Sequence, residues 1–172
     1  MMNIHDLPDT GMKYDMNTLV NKLITHEGLV LEVYKDSLGI DTIGIGRNLE
    51  DRGINKEELD YMDIPNIEAV YEHGITKKDA IYLAMNDIKI VEEELCRAHP
   101  CVYKQDAIRQ LILVDMAFNM GVPRLCKFKK MWNAIHESNY VAASAEMLDS
   151  RWAKQVKGRA IKLADAMKAG EF

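Results

Sequence analysis

Apolar positions along the chain repeat with helical spacing over most of its length. Asn17 can cap a first helix whose inner face is Leu19, Val20, Leu23 and Ile24, with Gly28 placed to end it. The period then changes. Lys35-Asp36-Ser37-Leu38-Gly39 has turn composition, and branched residues at 40, 42, 43 and 45 alternate with Gly44 and Gly46, so Ile40–Gly46 reads as the return strand of a hairpin. Residues 47–75 mix acidic stretches with Pro65 and predict short helices and loops, one starting near Asn66. Thr76-Lys77-Lys78-Asp79 has the form of a capping box with Asp in the acidic position. Ile81, Ala84, Ile88, Val91 and Leu95 follow on one face, a helix of about 20 residues that must stop before Pro100. Ala107–Met120 is apolar almost all round, the mark of a buried helix, and Gly121 and Pro123 close it. Further helices are expected over 124–137, 140–149 and 159–169, whereas the polar residues 1–16 read as an extension outside the core. The fold class is therefore α+β, mainly α, with one small sheet.

With 172 residues, 48% hydrophobic and 28% charged, the chain suits one domain or two lobes sharing a core. No apolar run reaches the length of a membrane span, and the N-terminus has neither the basic start nor the apolar centre of a signal peptide. Cys96, Cys101 and Cys126 make no even framework and read as reduced thiols, although a Cys96–Cys101 bridge is possible. The five histidines show no pair at a metal-ligand spacing, so no metal is assigned. Charge is uneven: residues 1–100 carry 10 basic against 20 acidic side chains, residues 101–172 carry 12 against 7. The basic half suits an anionic polymer, or is simply a solvated helical surface.

The chemistry concentrates in residues 25–46, T-H-E-G-L-V-L-E-V-Y-K-D-S-L-G-I-D-T-I-G-I-G. Glu27 stands at a helix end, Asp36 in a turn and Thr42 on the following strand. One acid to give a proton, a second carboxylate and a nearby hydroxyl are what acid/base hydrolysis needs. Two carboxylates nine residues apart are common on solvated surfaces, and the spacing alone does not decide.

The whole string, H-E-G…Y-K-D…G-x-x-T-I-G-I-G with Glu-x8-Asp-x5-Thr spacing, resembles the phage-lysozyme (endolysin muramidase) family. G-I-T-K-K-D-A, M-A-F-N-M-G and S-R-W-A-K-Q-V-K-G-R-A extend the resemblance over most of residues 17–170. It implies a two-lobed lysozyme-like fold: an extension over 1–16, a first helix over 17–28 packing on the helical lobe, a small β-containing lobe over 29–75, a connecting helix over 76–97 and a helical lobe over 98–172. It implies a muramidase cutting the β-1,4 bond between N-acetylmuramic acid and N-acetylglucosamine, without metal or cofactor. The partner is bacterial peptidoglycan, not nucleic acid, and the chain is expected to be a monomer with no membrane span. Peptidoglycan carries the carboxylates that the basic half would meet, and cytoplasmic protein would reach it only after release by another agent such as a holin. A lytic transglycosylase, or a silent wall-binding or virion component, is the rival reading.

Carried over residue by residue, the resemblance makes Glu27 the general acid and Asp36 the second carboxylate, with Thr42 orienting water and the anomer inverted. Carboxyl groups roughly 6.5–9.5 Å apart suit inversion. Phe118, Asn119 and Arg159 match substrate-side positions, Arg159 being the arginine that approaches the catalytic glutamate, and Asn48 falls at a groove position where the family has another residue. Phe118 reads equally well as core, and Arg159 as a surface residue opening a helix. Met131 and Glu146 depart from the polar groove residues of the family, and Trp152 reads as core. After T-I-G-I-G the family places His where this chain has Arg47. Counting from Thr76 puts its partner at Asp87, so an Arg47–Asp87 ion pair is expected, with the Asp87 carboxyl held below its ordinary pKa by the arginine.

Overall fold

The computed structural model describes residues 11–172 and is α+β, mainly helical, with one three-stranded antiparallel sheet. The first ten residues of the expected extension lie outside the described residues. The chain forms two compact units, one of residues 16–87 and one of residues 11–15 with 88–172. No helix among the described residues is long and apolar enough to cross a membrane.

In the first unit, α1 (Met16–Glu27) buries Leu19, Val20 and Leu23, the stripe read from the sequence. The sheet runs β1 (Val30–Lys35), β2 (Asp41–Gly44) and β3 (Arg47–Asn48) in that order. The return strand is shorter than expected. It stops at Gly44, the chain turns through Ile45 and Gly46, and two residues pair again as β3. Gly44 and Gly46 both have positive φ, +69° and +75°, the backbone that lets so tight a return form.

Next come α2 (Lys56–Tyr61) and α3 (Ile67–His73), the latter capped by Asn66 as expected. A capping box opens α2: the Asn55 side chain accepts from Glu58 N–H, and the Glu58 side chain accepts from Asn55 N–H. Gly74 then brings the chain against β1, where Ile75 N–H donates to Leu31 O at 2.8 Å. A Cβ on Gly74 would stand 2.2 Å from that same Leu31 oxygen, so this crossing admits only glycine. Thr76 and Asp79 cap each other's N–H groups and start α4 (Lys77–Ala98). Ile43, Met62, Val70, Ile75, Ala80 and Leu83 form the unit's core, with Tyr61 stacked on Tyr82 beside it.

Arg47 is buried in this unit and all five of its N–H groups are used. Nε donates to Asp87 Oδ2 (3.1 Å), Nη1 to Gly53 O and Glu58 Oε1, and Nη2 to Glu58 Oε2 (2.8 Å) and Leu83 O. The expected Arg47–Asp87 pair is present, but the two-pronged contact goes to Glu58, which spacing did not point to. The expected sign for Asp87 needs correction. Burial raises its carboxyl above the ordinary 3.8, outweighing the opposing charges of Arg47 and of Arg52, whose Nη1 lies 2.6 Å from Asp87 Oδ1. Glu58 shows the opposite balance. Burial raises it, but hydrogen bonds from Arg47 and Asn86 and the Arg47 charge pull it below 4.5.

In the second unit α5 (Ala107–Met120) is buried along residues 110–117. α10 (Gly158–Ala169) packs on it and on α8 (Tyr140–Leu148), which packs on α7 (Lys129–His136). The helix expected over 124–137 is two, α6 (Val122–Leu125) and α7, and α9 (Arg151–Val156) is additional. Pro123 sits inside the first turn of α6, where its missing N–H leaves no hydrogen bond unmade. Residues 11–15, assigned to the extension by sequence, are bonded into this unit: Lys13 N–H donates to Gln110 Oε1, Lys13 Nζ to Gln105 O, and the Tyr14 hydroxyl to the buried Glu92. All three cysteines are free thiols.

Candidate active site

Glu27 is the last residue of α1 and half-buried. Gly28 stops the helix there: its N–H still closes on Ile24 O at 3.0 Å, but its φ of +82° turns the chain away into β1. Asp36 is fixed by the hairpin turn. Its Oδ1 accepts from Leu38 N–H at 2.8 Å and Ile40 N–H at 2.9 Å, while its backbone exchanges further bonds with Ile40 O and Gly39 N–H. An Asp caps such a turn because its short side chain reaches the N–H groups just ahead of it. Oδ1 is thus occupied, and Oδ2 is the oxygen left to meet a water.

Thr42 is buried at 4% exposure in the middle strand, and its hydroxyl donates to Ile40 O at 2.9 Å. With its proton committed, Oγ1 faces any further partner as an acceptor. Strand register sets its neighbours. Thr42 pairs with Tyr34 on β1 and with Asn48 on β3, and directly opposed residues share a face of a sheet. Tyr34 reports where the acids are: its phenol is pushed above 10.0 by burial, then by the negative charges of Asp36 and of Glu27. A proton-holding phenol therefore stands within electrostatic reach of both carboxylates, opposite the threonine. Tyr34 belongs to the Y-K-D string, yet the sequence assigns it no role; the strand register, invisible in spacing alone, brings it in.

Asn48 shares this face, yet its Oδ1 accepts from Glu50 and Asp51 N–H and caps the turn after β3. That oxygen shapes the loop, and only the amide group of the side chain is left to meet a ligand.

The other expected site residues belong to the second unit. Arg159, in the first turn of α10, donates from Nη2 (2.7 Å) and Nε (3.2 Å) to Oδ1 of Asp115, a fully buried carboxylate of α5. In the sequence Asp115 stands inside an apolar run, and a lone acid at the centre of a buried helix is the available signal. Asn119 Oδ1 accepts from Trp152 Nε1 at 2.8 Å, so the buried indole orients the amide at the end of α5. Phe118 is half-buried beside it. Met131 is fully buried and Glu146 half-buried, and both border a recess of about 370 Å³ with Phe128, Lys129, Asp149 and Ser150.

No His/Cys/carboxylate group able to share a metal ion forms around Glu27, Asp36 and Thr42 among the described residues; one such group lies in the second unit, at His99, Cys101 and His136.

A family profile described as phage lysozyme matches residues 24–167. Among curated relatives, "Probable T4-type lysozyme 1" of Dictyostelium discoideum is 28% identical, covering 90% of this chain and 96% of its own length. "Probable T4-type lysozyme 2" of the same organism is 25% identical over the same shares of the two chains. The "Pre-baseplate central spike protein Gp5" of Enterobacteria phage T4 is 27% identical across 99% of this chain, which spans only 32% of that larger protein. The matched region takes in Glu27, Asp36, Thr42 and Arg159 together, and the chain belongs to the phage lysozyme family.

Proposed function

We propose that the chain is a peptidoglycan hydrolase, a muramidase that cuts the β-1,4 bond between N-acetylmuramic acid and N-acetylglucosamine. Family membership supports the substrate class, and the arrangement of Glu27, Asp36 and Thr42 supports the reaction. Glu27, at the end of α1, gives its proton to the leaving glycosidic oxygen. A water held between Asp36 and Thr42 attacks the anomeric carbon from the other side.

The observation that carries this reading is the bonding of Thr42. Because its hydroxyl proton goes to Ile40 O, Oγ1 can only accept from the water. Asp36 Oδ2 accepts the water's other hydrogen. Both hydrogens are then turned towards the protein and a lone pair is left facing the sugar. Arg159, locked on Asp115, and Asn119, held by Trp152, are substrate-side residues in this reading, with Phe118 and the Asn48 amide as further contacts.

Proton NMR of the first-formed product tests the mechanism. A newly released sugar end with inverted anomeric configuration is expected. Retention would remove the role given to Thr42, and an anhydro end with no new anomeric hydroxyl would make the chain a lytic transglycosylase.

As an endolysin, the chain would work alone on the wall once released from the cytoplasm. The match to the central spike protein across 99% of this chain favours a second setting, the wall-cutting part of a virion. The chemistry is the same in both.

A further inference from the structure

In the second unit a chemistry-bearing cluster lies outside everything assigned above. Each of His99, Cys101 and His136 offers a ligand atom, a ring nitrogen or the thiol sulfur, and these atoms all lie within 4.8 Å of one another. The three come from two separate segments. His99 precedes the short 3-10 helix Pro100–Lys104 and Cys101 lies within it, whereas His136 is the last residue of α7. A 35-residue gap hides the pairing from sequence, where the histidines looked scattered.

The His99 ring and the Cys101 backbone are held in place. Trp132, one turn before His136 on α7, stacks flat on His99, with ring centroids 3.8 Å apart and planes 5° from parallel. The indole is itself fixed, because its Nε1 donates to Leu125 O at 3.0 Å. Cys101 sits on a turn anchored by the buried Gln105, whose Nε2 donates to Cys101 O at 3.2 Å and whose Oε1 accepts from the Tyr140 hydroxyl at 2.7 Å. His136 is exposed.

We propose that His99, Cys101 and His136 form a site for a divalent transition-metal ion of the zinc class, bound by three protein ligands and one water. Two imidazoles and a thiolate suit zinc and its neighbours and are wrong for magnesium or calcium, which take oxygen ligands. With Zn–N near 2.0–2.1 Å and Zn–S near 2.3 Å, ligand atoms around a tetrahedral ion stand roughly 3.3–3.6 Å apart. All separations here are within 4.8 Å, so the three atoms need close by only about an ångström to meet a tetrahedral ion. The bound ion ties the segment after α4 to the end of α7. This is a staple within the second unit, and it rests on none of the chemistry assigned to Glu27.

Calorimetric titration of the whole chain with zinc chloride tests it, with cobalt(II) as the spectroscopic probe. One ion per chain is expected, with micromolar or tighter affinity. Cobalt should produce the thiolate-to-metal absorption and the strong visible bands of a tetrahedral site, and binding beside His99 should change the fluorescence of Trp132. Cys101→Ser should remove the thiolate band and His136→Ala should weaken binding roughly tenfold or more, whereas Cys126→Ser should change neither. Binding no tighter than millimolar overturns the proposal, as does zinc affinity that survives unchanged in both Cys101→Ser and His136→Ala.

Discussion

Glu27→Gln is expected to lower the rate of cell-wall lysis at least about a hundredfold, because proton donation by a placed side chain contributes roughly 10²–10⁴-fold. Gln has nearly the same shape as Glu but no proton to give. The fold should survive, since Gly28 and the Ile24 carbonyl set the end of α1. Circular dichroism melts and a dye-release assay on stripped walls, run side by side, separate the two effects. Near-normal turnover in a folded Glu27→Gln protein would falsify the assignment of Glu27 as acid.

The largest stability effect is expected at Glu58, a residue given no part in the proposed reaction. Four donors converge on its buried carboxylate: Arg47 Nη1 and Nη2, Asn86 Nδ2 and Asn55 N–H. Glu58→Gln turns one acceptor into an NH₂ that must face a donor, and it leaves the buried guanidinium with Asp87 alone as its acidic partner. Removing one member of a buried pair costs roughly 3–5 kcal/mol, so a loss of about 3 kcal/mol at neutral pH is expected. Its pH dependence has a definite sign. Glu58 is held below 4.5 in the fold, so its contribution is present above that value and is lost as pH falls through the folded one; the gap between wild type and Glu58→Gln should narrow in acid. Asp87 behaves in the opposite way. Its folded pKa lies above 3.8, so its charge costs stability as pH rises from there, and Asp87→Asn should gain relative to wild type on going from acid towards neutrality. Denaturant melts of both variants across that pH range measure the two trends. Trends of the same sign would refute this account of the Arg47 cluster.

Local signals written in consecutive residues were legible beforehand. The helix stop at Gly28, the Asp36 turn, the Asn66 and Thr76 caps and the buried α5 all follow from composition over a few positions, and each appears in the structure. Interactions set by distant packing were not legible. Glu58 lies in one of the acidic stretches of residues 47–75, and Asn55 three residues before it is the local sign of a capping box. Whether it was exposed or buried depended on Arg47 reaching across from β3. Asp115 needed Arg159, 44 residues later, to make sense of a charge inside an apolar helix. The Asp87 sign failed for the same reason, since the strength of an ion pair depends on a burial that spacing does not reveal. Around the three proposed residues, the structure adds Tyr34 opposite Thr42 and the direction of the Thr42 hydroxyl.

Muramidase action is read out by mass spectrometry of purified peptidoglycan digested by the wild-type chain, with the Glu27→Gln protein as the blank. Disaccharide-peptides that end in reducing N-acetylmuramic acid are expected, each carrying one added water across the cleaved bond, and none in the blank. Products ending in anhydro-muramic acid, products ending in reducing N-acetylglucosamine, or intact glycan strands after wild-type digestion would each contradict it.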